Sequence, residues 1–556
     1  MSNSIEAATH PVVVVGGGPV GVSTAIELAR HGVRPVILEQ RRRGEHYPAR
    51  TNLTNLRSME HFRRWGISDL LRENDPVGDD FVRSITYVTA LNGHIVADLT
   101  KIFAFEDQIP FASDRPEFAP NAGIEETLQQ AASANESIDI RFGSEVTHVQ
   151  QNSDSVHVTY RDAIGEHTLA AQYLVAADGS RSPIRHELGI RMEGIPDLVQ
   201  ASIWHIHAPG LKERMTVGRS SFFFFINEFR DNMMLIAQDS DDHYMFGLLP
   251  VSPDVDPEDW NAARAALFRN VGFEFDVEPL AGGRVRVHSL LTPKFNEGRV
   301  FFAGDAAHLI SPMGGFGMNL GIGDAADLGW KLAAVLGGWG GPALLESYGA
   351  ERSSVITWIQ EACIGNTQRN AESFTTDGLS GNTPESAALR EQVGHHIATV
   401  KVEEFKSFGA QLGTNYHGSA IVIPDGTEPP LLTQGDYTPS AVPGCRAPHV
   451  WLDDSTSLYD RFGVGYTLLV TEGGADTGRF VAAARERRIP LDVLTPDHQG
   501  LRELYGARFA LIRPDQHVAW RADVLPVDAG PLLDVVRGAA AVPSSGSEAA
   551  VESAAV

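Results

Sequence analysis

Cysteine is nearly missing from this chain. Only Cys363 and Cys445 occur, far apart and without a C-x-x-C pair. That excludes a disulfide framework, a cysteine-built zinc site and a dithiol redox centre, so no metal site is expected. Long apolar runs are missing too. Nothing reaches the roughly 18 apolar residues that a membrane-spanning helix requires, and the longest aromatic run is Phe222 to Phe225. Met1 to His10 carries no basic segment ahead of an apolar stretch, so no signal peptide is expected and a cytoplasmic protein without a membrane partner is. Positive charge is scarce, with 45 Lys and Arg against 71 Asp and Glu and a net charge of −26. Such a field repels a phosphate backbone, so no nucleic-acid partner is expected. The exception, Arg41-Arg42-Arg43, is too compact for a duplex but adequate for one cofactor phosphate.

The chain is long enough for more than one core: 556 residues predict two or three packed units. Val12 to Val15 is a β-branched run, followed by glycines, by helical spacing from Val20 to His31 and by the apolar run Val33 to Leu38. That pattern is strand, turn, helix, strand. A further helix is predicted from Ile124 to Ala134 and a buried strand from Tyr173 to Ala177. From Val199 to Leu291 aromatics and strand formers dominate, which reads as a separate sheet covering a pocket. Arg299 to Gly304 is another buried strand, leading through a glycine-dense loop to a helix from Ile322 to Leu336. Ser353 to Leu412 reads as mainly helical and Pro424 to Pro443 as a Gly- and Pro-rich connector. Thr467 to Arg521 reads as a small α/β unit ending in a hairpin. The Ala-, Ser- and Glu-rich stretch Gly538 to Val556 is expected to be disordered.

Gly16-Gly17-Gly18-Pro19-Val20-Gly21 fits G-x-G-x-x-G between a predicted strand and a predicted helix. Gly16 permits the tight turn, Gly18 lets the backbone approach a pyrophosphate and Gly21 allows close helix packing, while the helix N-terminus offers amide donors. Glu39, followed by Gln40, ends the second strand, where a carboxylate can accept ribose hydroxyls. The bland alternative is a glycine turn beside a surface acid. This fingerprint alone does not separate NAD from FAD. Two later motifs bear on the choice: Tyr173-Leu-Val-Ala-Ala-Asp178-Gly179-Ser-Arg-Ser182-Pro-Ile-Arg185, and Arg299-Val-Phe-Phe-Ala-Gly304-Asp305-Ala-Ala-His308, which runs on to Pro312-Met-Gly314-Gly315-Phe-Gly317-Met318-Asn319. There is no second G-x-G-x-x-G, so no dedicated nicotinamide domain is indicated.

These three motifs, in this order and at these separations, resemble those of the class A flavoprotein aromatic hydroxylases, the family built on the p-hydroxybenzoate hydroxylase fold. Pro443-Gly-Cys-Arg-Ala-Pro-His449 and Leu458-Tyr-Asp460 make the chain most similar to the phenol and chlorophenol hydroxylase branch, with its C-terminal thioredoxin-like unit. The resemblance implies an α/β fold: a Rossmann-like FAD-binding domain (1–80, 115–185 and 286–365) interleaved with a mixed-sheet substrate domain (81–114 and 186–285). A helical connector (366–425) and a thioredoxin-like α/β domain (426–537) would follow, then the tail (538–556). It also implies FAD held by Gly16, Gly18, Pro19, Val20 and Gly21 at the pyrophosphate, Glu39 and Gln40 at the adenosine ribose, Arg50 near the phosphates, and Gly304 and Asp305 at the ribityl chain. The loop containing Pro312, Gly314, Gly315, Gly317, Met318 and Asn319 would wrap the isoalloxazine, its glycines exposing amides to the reduced ring. Asp178 is associated in the family with both FAD and the nicotinamide cofactor; for it and Asp305, a capping or turn role is the ordinary alternative. Asn121 stands where the family often has glutamine. Asn52 stands where phenol hydroxylases have an acidic residue and chlorophenol hydroxylases tend to have histidine, so a strong base there is not expected.

The implied activity is an FAD-dependent monooxygenase that hydroxylates a phenolic or other aromatic small molecule with O2 and NADPH or NADH, through a flavin hydroperoxide. The reductant would bind transiently on the surface, where Arg41, Arg42 and Arg43 either contact a phosphate or form a solvated face. Trp204, Phe223, Phe225, Tyr244 and Phe246, with Gly314 from the loop, are candidate substrate walls, core packing being the competing role for each aromatic. His205 and His207 share one strand face and are candidate bases or an exposed pair. Asn52 and Pro312 complete the candidate catalytic set. His308 either braces the loop or transfers protons. A flavin-dependent oxidase and a non-turnover flavoprotein that sequesters an aromatic intermediate are the rival readings; a halogenase lacks support because no Trp-x-Trp-x-Ile-Pro segment occurs. The C-terminal unit, without C-x-x-C, is expected to be structural or dimer-forming, which is compatible with a homodimer.

Overall fold

The computed structural model describes residues 4–45, 53–100, 108–251, 256–371 and 377–542. Arg50 and Asn52, two of the residues singled out above, lie outside them.

The first sheet is built around the strand Ser4–Val15, which pairs in parallel with Pro35–Glu39 on one side and Glu166–Ala176 on the other, with Val300–Phe302 parallel beyond. Val12, Val13 and Val14 are fully buried. Parallel strands of this kind read as unbroken apolar runs because helices and further layers cover both of their faces. The helices Pro19–Arg30 and Gly317–Leu336 pack against each other beside this sheet. The parallel strands therefore all end at one edge, at Gly16, Glu39, Ala177 and Ala303, the edge at which open α/β sheets bind ligands.

The second sheet has the spatial order His308–Leu309, Glu278–Leu291, Glu193–His207, His243–Leu248, Met233–Ala237, Ser220–Phe225, Val82–Val88, Ile95–Asp98. His308–Leu309 ties this sheet to the segment that follows Gly304-Asp305. One sheet face is closed by the helix Trp260–Val271, which shares a core with Phe223, Phe225, Tyr244 and Phe246. The other face turns toward Leu53 and Phe118, which lie on the short antiparallel pair Leu53–Thr54 and Glu117–Phe118.

The C-terminal sheet runs Leu491–Leu494, Tyr466–Val470, Phe509–Ile512, Val518–Ala522, its first pair parallel and the rest antiparallel. With the helices Gly478–Glu486 and Gly530–Val536 this is a βαβ unit followed by a hairpin and a helix, a thioredoxin-like arrangement. It shares a core with Trp330, Trp339 and Leu344 of the first domain.

The element limits differ from the sequence pattern in three informative places. The helix expected from Ile322 begins at Gly317, so Gly317, Met318 and Asn319 form its first turn instead of belonging to the loop. The helix expected from Ile124 begins at Asn121. The chain is still hydrogen-bonded past the start of the expected disordered tail: Ala343 N–H donates to the Gly538 carbonyl, and Ala539 N–H to the Asp534 carbonyl. No helix among the described residues is long and apolar enough to cross a membrane.

Candidate active site

The three motifs meet at the edge where the parallel strands end. Gly16 has φ +107°, and a Cβ there would lie 2.3 Å from the Ala177 carbonyl oxygen, next to Asp178. Gly304 has φ +60°, and a Cβ there would strike Val20 of the fingerprint helix at 2.8 Å. Arg185, buried, donates to the Ala306 carbonyl at 2.8 Å and to the Ser180 carbonyl at 3.0 Å. Segments more than a hundred residues apart are thus locked together by close backbone approach and one buried guanidinium.

This edge fits a dinucleotide. Gly18 precedes the helix Pro19–Arg30 without a side-chain cap, and a Cβ added to it would meet nothing within 4 Å. Space therefore opens in front of a helix N-terminus whose first amides have no intrahelical acceptor, the arrangement that suits a pyrophosphate. A Cβ at Gly21, by contrast, would sit 1.9 Å from the Gly16 carbonyl oxygen. Pro19 enters the helix at its first position. Glu39 is buried and accepts the Gly17 amide at 2.5 Å and the Arg41 amide at 2.7 Å. Gln40 beside it is exposed.

Asn121 opens the helix Asn121–Ala134 and is buried. Its amide donates to Glu125 at 3.0 Å, Glu125 pairs with Arg41 at 2.9 Å, and Arg41 pairs with Glu39 at 3.1 Å. These contacts fix the Glu39 carboxylate beside Gly17. They also commit Arg41 internally, leaving Arg42 and Arg43 exposed. Asp178 Oδ2 accepts the Ile184 amide at 3.3 Å, while its Oδ1 is buried with no hydrogen-bond partner among the described residues. Burial pushes this carboxyl above its ordinary range, against the pull of Ser182 and the Ile184 amide. A buried carboxylate oxygen without a partner costs free energy, and a bound hydroxyl would satisfy it. Asp305 is exposed at the same edge.

The second helix N-terminus lies at the end of the loop that follows His308. Gly314 and Gly315 both have positive φ, +112° and +69°, and Gly315 faces Leu53. A Cβ at Gly317 would meet nothing within 4 Å, so the first turn of Gly317–Leu336 is as open as that of the fingerprint helix. Pro312 is exposed and accepts the Gly315 amide at 3.0 Å; Met318 packs against the first core. Asn319 spends its side chain on the protein: its amide nitrogen donates to the Leu53 and Gly315 carbonyls at 2.9 and 2.7 Å, and its oxygen accepts the Asn55 amide at 3.0 Å. It shapes the loop rather than presenting its side chain to a ligand. His308 pairs with buried Asp324 at 2.7 Å, and Asp324 also accepts the Gly304 amide at 2.9 Å. Burial alone would raise the Asp324 carboxyl, but His308 and Arg352 outweigh it and hold it below its ordinary range. His308 is a brace for the loop.

The aromatic wall needs correction. Trp204, Phe223, Phe225, Tyr244 and Phe246 are all buried in the core under Trp260–Val271, on the face turned away from Leu53. Strand alternation gives the facing set the other parity: Phe222, Phe224 and Leu53 pack against one cluster that includes Tyr87, Ile397 and Phe405, with Phe224 stacked on Tyr87 at 4.9 Å, while Ile203, Met234, Ile236 and Met245 cluster with Phe118. Ile203, Phe222, Phe224 and Met234 are only partly buried. His205 pairs with Met245 in the ladder and so shares that face. His207 is the last residue of its strand; its ring lies 4.9 Å from that of His243, which pairs with Asp239 at 2.7 Å.

Sequence reasoning missed Arg185, Asp324, Glu125 and Asn55. Arg185 was visible as the last residue of the Asp-Gly motif; the others become significant only through contacts distant in sequence.

A family model described as FAD binding domain matches residues 9–362, and one described as aromatic-ring hydroxylase, C-terminal, matches residues 440–540. The chain is 33% identical to the FAD-dependent monooxygenase apdD of Emericella nidulans, over 92% of this chain and 87% of that one. It is 32% identical to the aklavinone 12-hydroxylase RdmE of Streptomyces purpurascens, over 94% and 97%. The structure is similar to that of the rebeccamycin biosynthetic enzyme RebC with reduced flavin, with a TM-score of 0.87 at 33% identity, covering 97% of this chain and 100% of that one. The chain belongs to the FAD-binding aromatic-ring hydroxylases. It is an FAD-dependent monooxygenase acting on an aromatic compound.

Proposed function

We propose that this monooxygenase hydroxylates a planar aromatic of several fused rings, with NADPH or NADH as reductant, and that the substrate lies between the Gly314–Gly317 loop and the sheet face bearing Ile203, Phe222, Phe224 and Met234. The observation that carries the reading is the composition of that face. Its apolar side chains come from adjacent strands spaced about 4.8 Å apart, a surface broader than a single phenol ring needs. Ile203, Phe222, Phe224 and Met234 offer apolar contact, which fits recognition by shape. The similarity to a protein named as an aklavinone hydroxylase points the same way.

FAD, when bound, supplies the redox chemistry: two electrons from the nicotinamide are passed to oxygen, one atom of which enters the aromatic ring. The chain's own residues bind, orient and shield. Gly16, Gly18 and the first turn after Pro19 hold the pyrophosphate, Glu39 the adenosine ribose, and Asp305 with Asp178 the polar chain beyond it. The amides at Gly317 and Met318, at a helix N-terminus, would stabilise negative charge on the reduced flavin. Asn319, Asn55 and Leu53 fix the loop from behind. Phe118 and the Phe222 face exclude water, which a monooxygenase needs to avoid wasteful release of reduced oxygen. His205, on the same face, is the candidate to take the proton from a phenolic hydroxyl. Arg42 and Arg43 remain for the reductant's phosphate.

The test is anaerobic flavin reduction by NADPH in the presence of single-ring phenols and of hydroxylated fused-ring compounds. The reading expects acceleration by a fused-ring compound and little by phenol. Equal acceleration by phenol and the fused rings would overturn the fused-ring assignment.

A further inference from the structure

We propose that the C-terminal domain serves the flavin site through one hairpin turn, Arg513 to His517, and that Tyr416 and Asp324 are the positioning residues that carry its effect to the Gly304-Asp305 turn. A hairpin turn ordinarily lies on the surface. This one is driven into the first domain: Arg513, Asp515, Gln516 and His517 are all buried, with Gln516 at φ +67° in the left-handed position of the turn. The first domain holds it by side-chain contacts. Arg57 donates to the Asp515 carbonyl at 2.6 Å and to the Gln516 side-chain oxygen at 2.7 Å. Arg513 pairs with Glu351 at 2.7 Å and Asp327 at 2.9 Å, and Lys331 pairs with the same two acids at 2.6 and 2.8 Å.

From the turn a continuous set of contacts reaches the cofactor edge. The His517 ring packs on Tyr416 with centroids 4.3 Å apart. The Tyr416 hydroxyl accepts from Arg352 at 3.0 Å, and Arg352 donates to Asp324 at 2.7 Å. Asp324 then holds the Gly304 amide and His308. Asp324, Asp327 and Lys331 lie on the helix Gly317–Leu336, whose N-terminus faces the flavin loop, so the turn grips the same helix at two levels. A buried ion cluster contributes little net stability because desolvation offsets most of its attraction. What it supplies is a fixed geometry, here that of the helix and turn that receive FAD.

The inference rests on FAD occupying this edge, which the wild-type holoprotein tests separately through its bound-flavin absorbance. The experiment uses full-length Tyr416→Phe, Asp324→Asn and the double variant. Tyr416→Phe keeps the ring that supports His517 and loses only the hydroxyl. Its dissociation constant for FAD, read by flavin fluorescence on the apoprotein, is expected to rise about 3- to 10-fold. For Asp324→Asn the expected rise is about 10- to 100-fold, and the double variant should bind FAD no more weakly than Asp324→Asn alone, because both act through Arg352. If Asp324→Asn does not fold, Arg352→Lys tests the same link and should also weaken FAD binding. A Tyr416→Phe protein whose apoprotein melts earlier while its FAD affinity stays within about twofold of wild type would overturn the proposal, as would effects that simply multiply in the double variant.

Discussion

Arg185 reaches the Ala306 carbonyl at 2.8 Å, so a side chain from the short helix Pro183–Glu187, just after the Asp-Gly turn, braces the segment that follows Gly304-Asp305. Replacing it with methionine leaves the Ala306 and Ser180 carbonyls without their donor. A buried group left unsatisfied costs about 1–3 kcal/mol, and the FAD dissociation constant is expected to rise about tenfold, checked by titrating the apoprotein with FAD. Unchanged affinity would show that the two turns hold their positions independently.

The glycines of the fingerprint separate binding from folding. Gly18→Ala adds a methyl group to open space, and its backbone is extended with φ −76°. The apoprotein should melt as wild type does, while FAD binding weakens by roughly tenfold or more as the pyrophosphate is kept off the amides. Gly21→Ala drives a methyl group into the Gly16 carbonyl and should cost about 1–3 kcal/mol of stability, measured by urea unfolding. If Gly18→Ala also destabilised the apoprotein, the space before the helix would not be the ligand's.

Neighbouring phenylalanines should respond oppositely. Phe223 is 1% exposed in the core under Trp260–Val271, so Phe223→Ala should cost about 3–5 kcal/mol of stability. Phe222→Ala should raise the substrate KM by about tenfold, the loss of part of a side chain's apolar contact, with a small effect on stability. Steady-state kinetics beside urea unfolding would show the split; a KM effect at Phe223 and none at Phe222 would invert the assigned faces.

Acid should unfold this protein in two stages. Burial holds the His449 and His517 rings at about 4 rather than 6.5. Between those values the unfolded chain takes up protons that the native one refuses, so stability is lost as pH falls from about 6.5 to 4, by about 3 kcal/mol per ring. Glu27 and Glu60, although burial works against it, are held at about 2 by Arg64 and by Arg446 with Arg57 respectively. Their contribution is present above about 4.5 and disappears as pH falls toward 2. Urea midpoints measured from pH 7.5 to 4 should fall steadily, and less steeply in His517→Gln; a flat profile down to pH 5 would contradict the buried neutral rings.

The glycine and aspartate motifs were legible in the sequence because each encodes a local backbone demand: a positive φ at Gly16 and Gly304, or an open approach at Gly18. The thioredoxin-like order of strands and helices was legible for a similar reason, since alternation and turn chemistry act over short distances. The face of the second sheet was not. Both of its sides are apolar, one under the helix Trp260–Val271 and one against Leu53, Phe118 and the helix Pro384–Val400, so strand alternation offers no polar side by which to orient Phe222 against Phe223. Nor could spacing show that Asn319 would spend its amide on Leu53, Gly315 and Asn55, or that Arg57 and Arg446 would share Glu60. Those pairings exist only once chain segments hundreds of residues apart have met.

The most direct test of the central claim is a single turnover of the FAD-loaded enzyme with NADPH, isotopically labelled dioxygen and a hydroxylated fused-ring aromatic, followed by mass spectrometry of the product. The expected result is one labelled oxygen atom in the ring of the product and one equivalent of NADPH consumed per product formed. Consumption of NADPH with the label appearing only in hydrogen peroxide or water, whichever aromatic is supplied, would contradict the monooxygenase assignment.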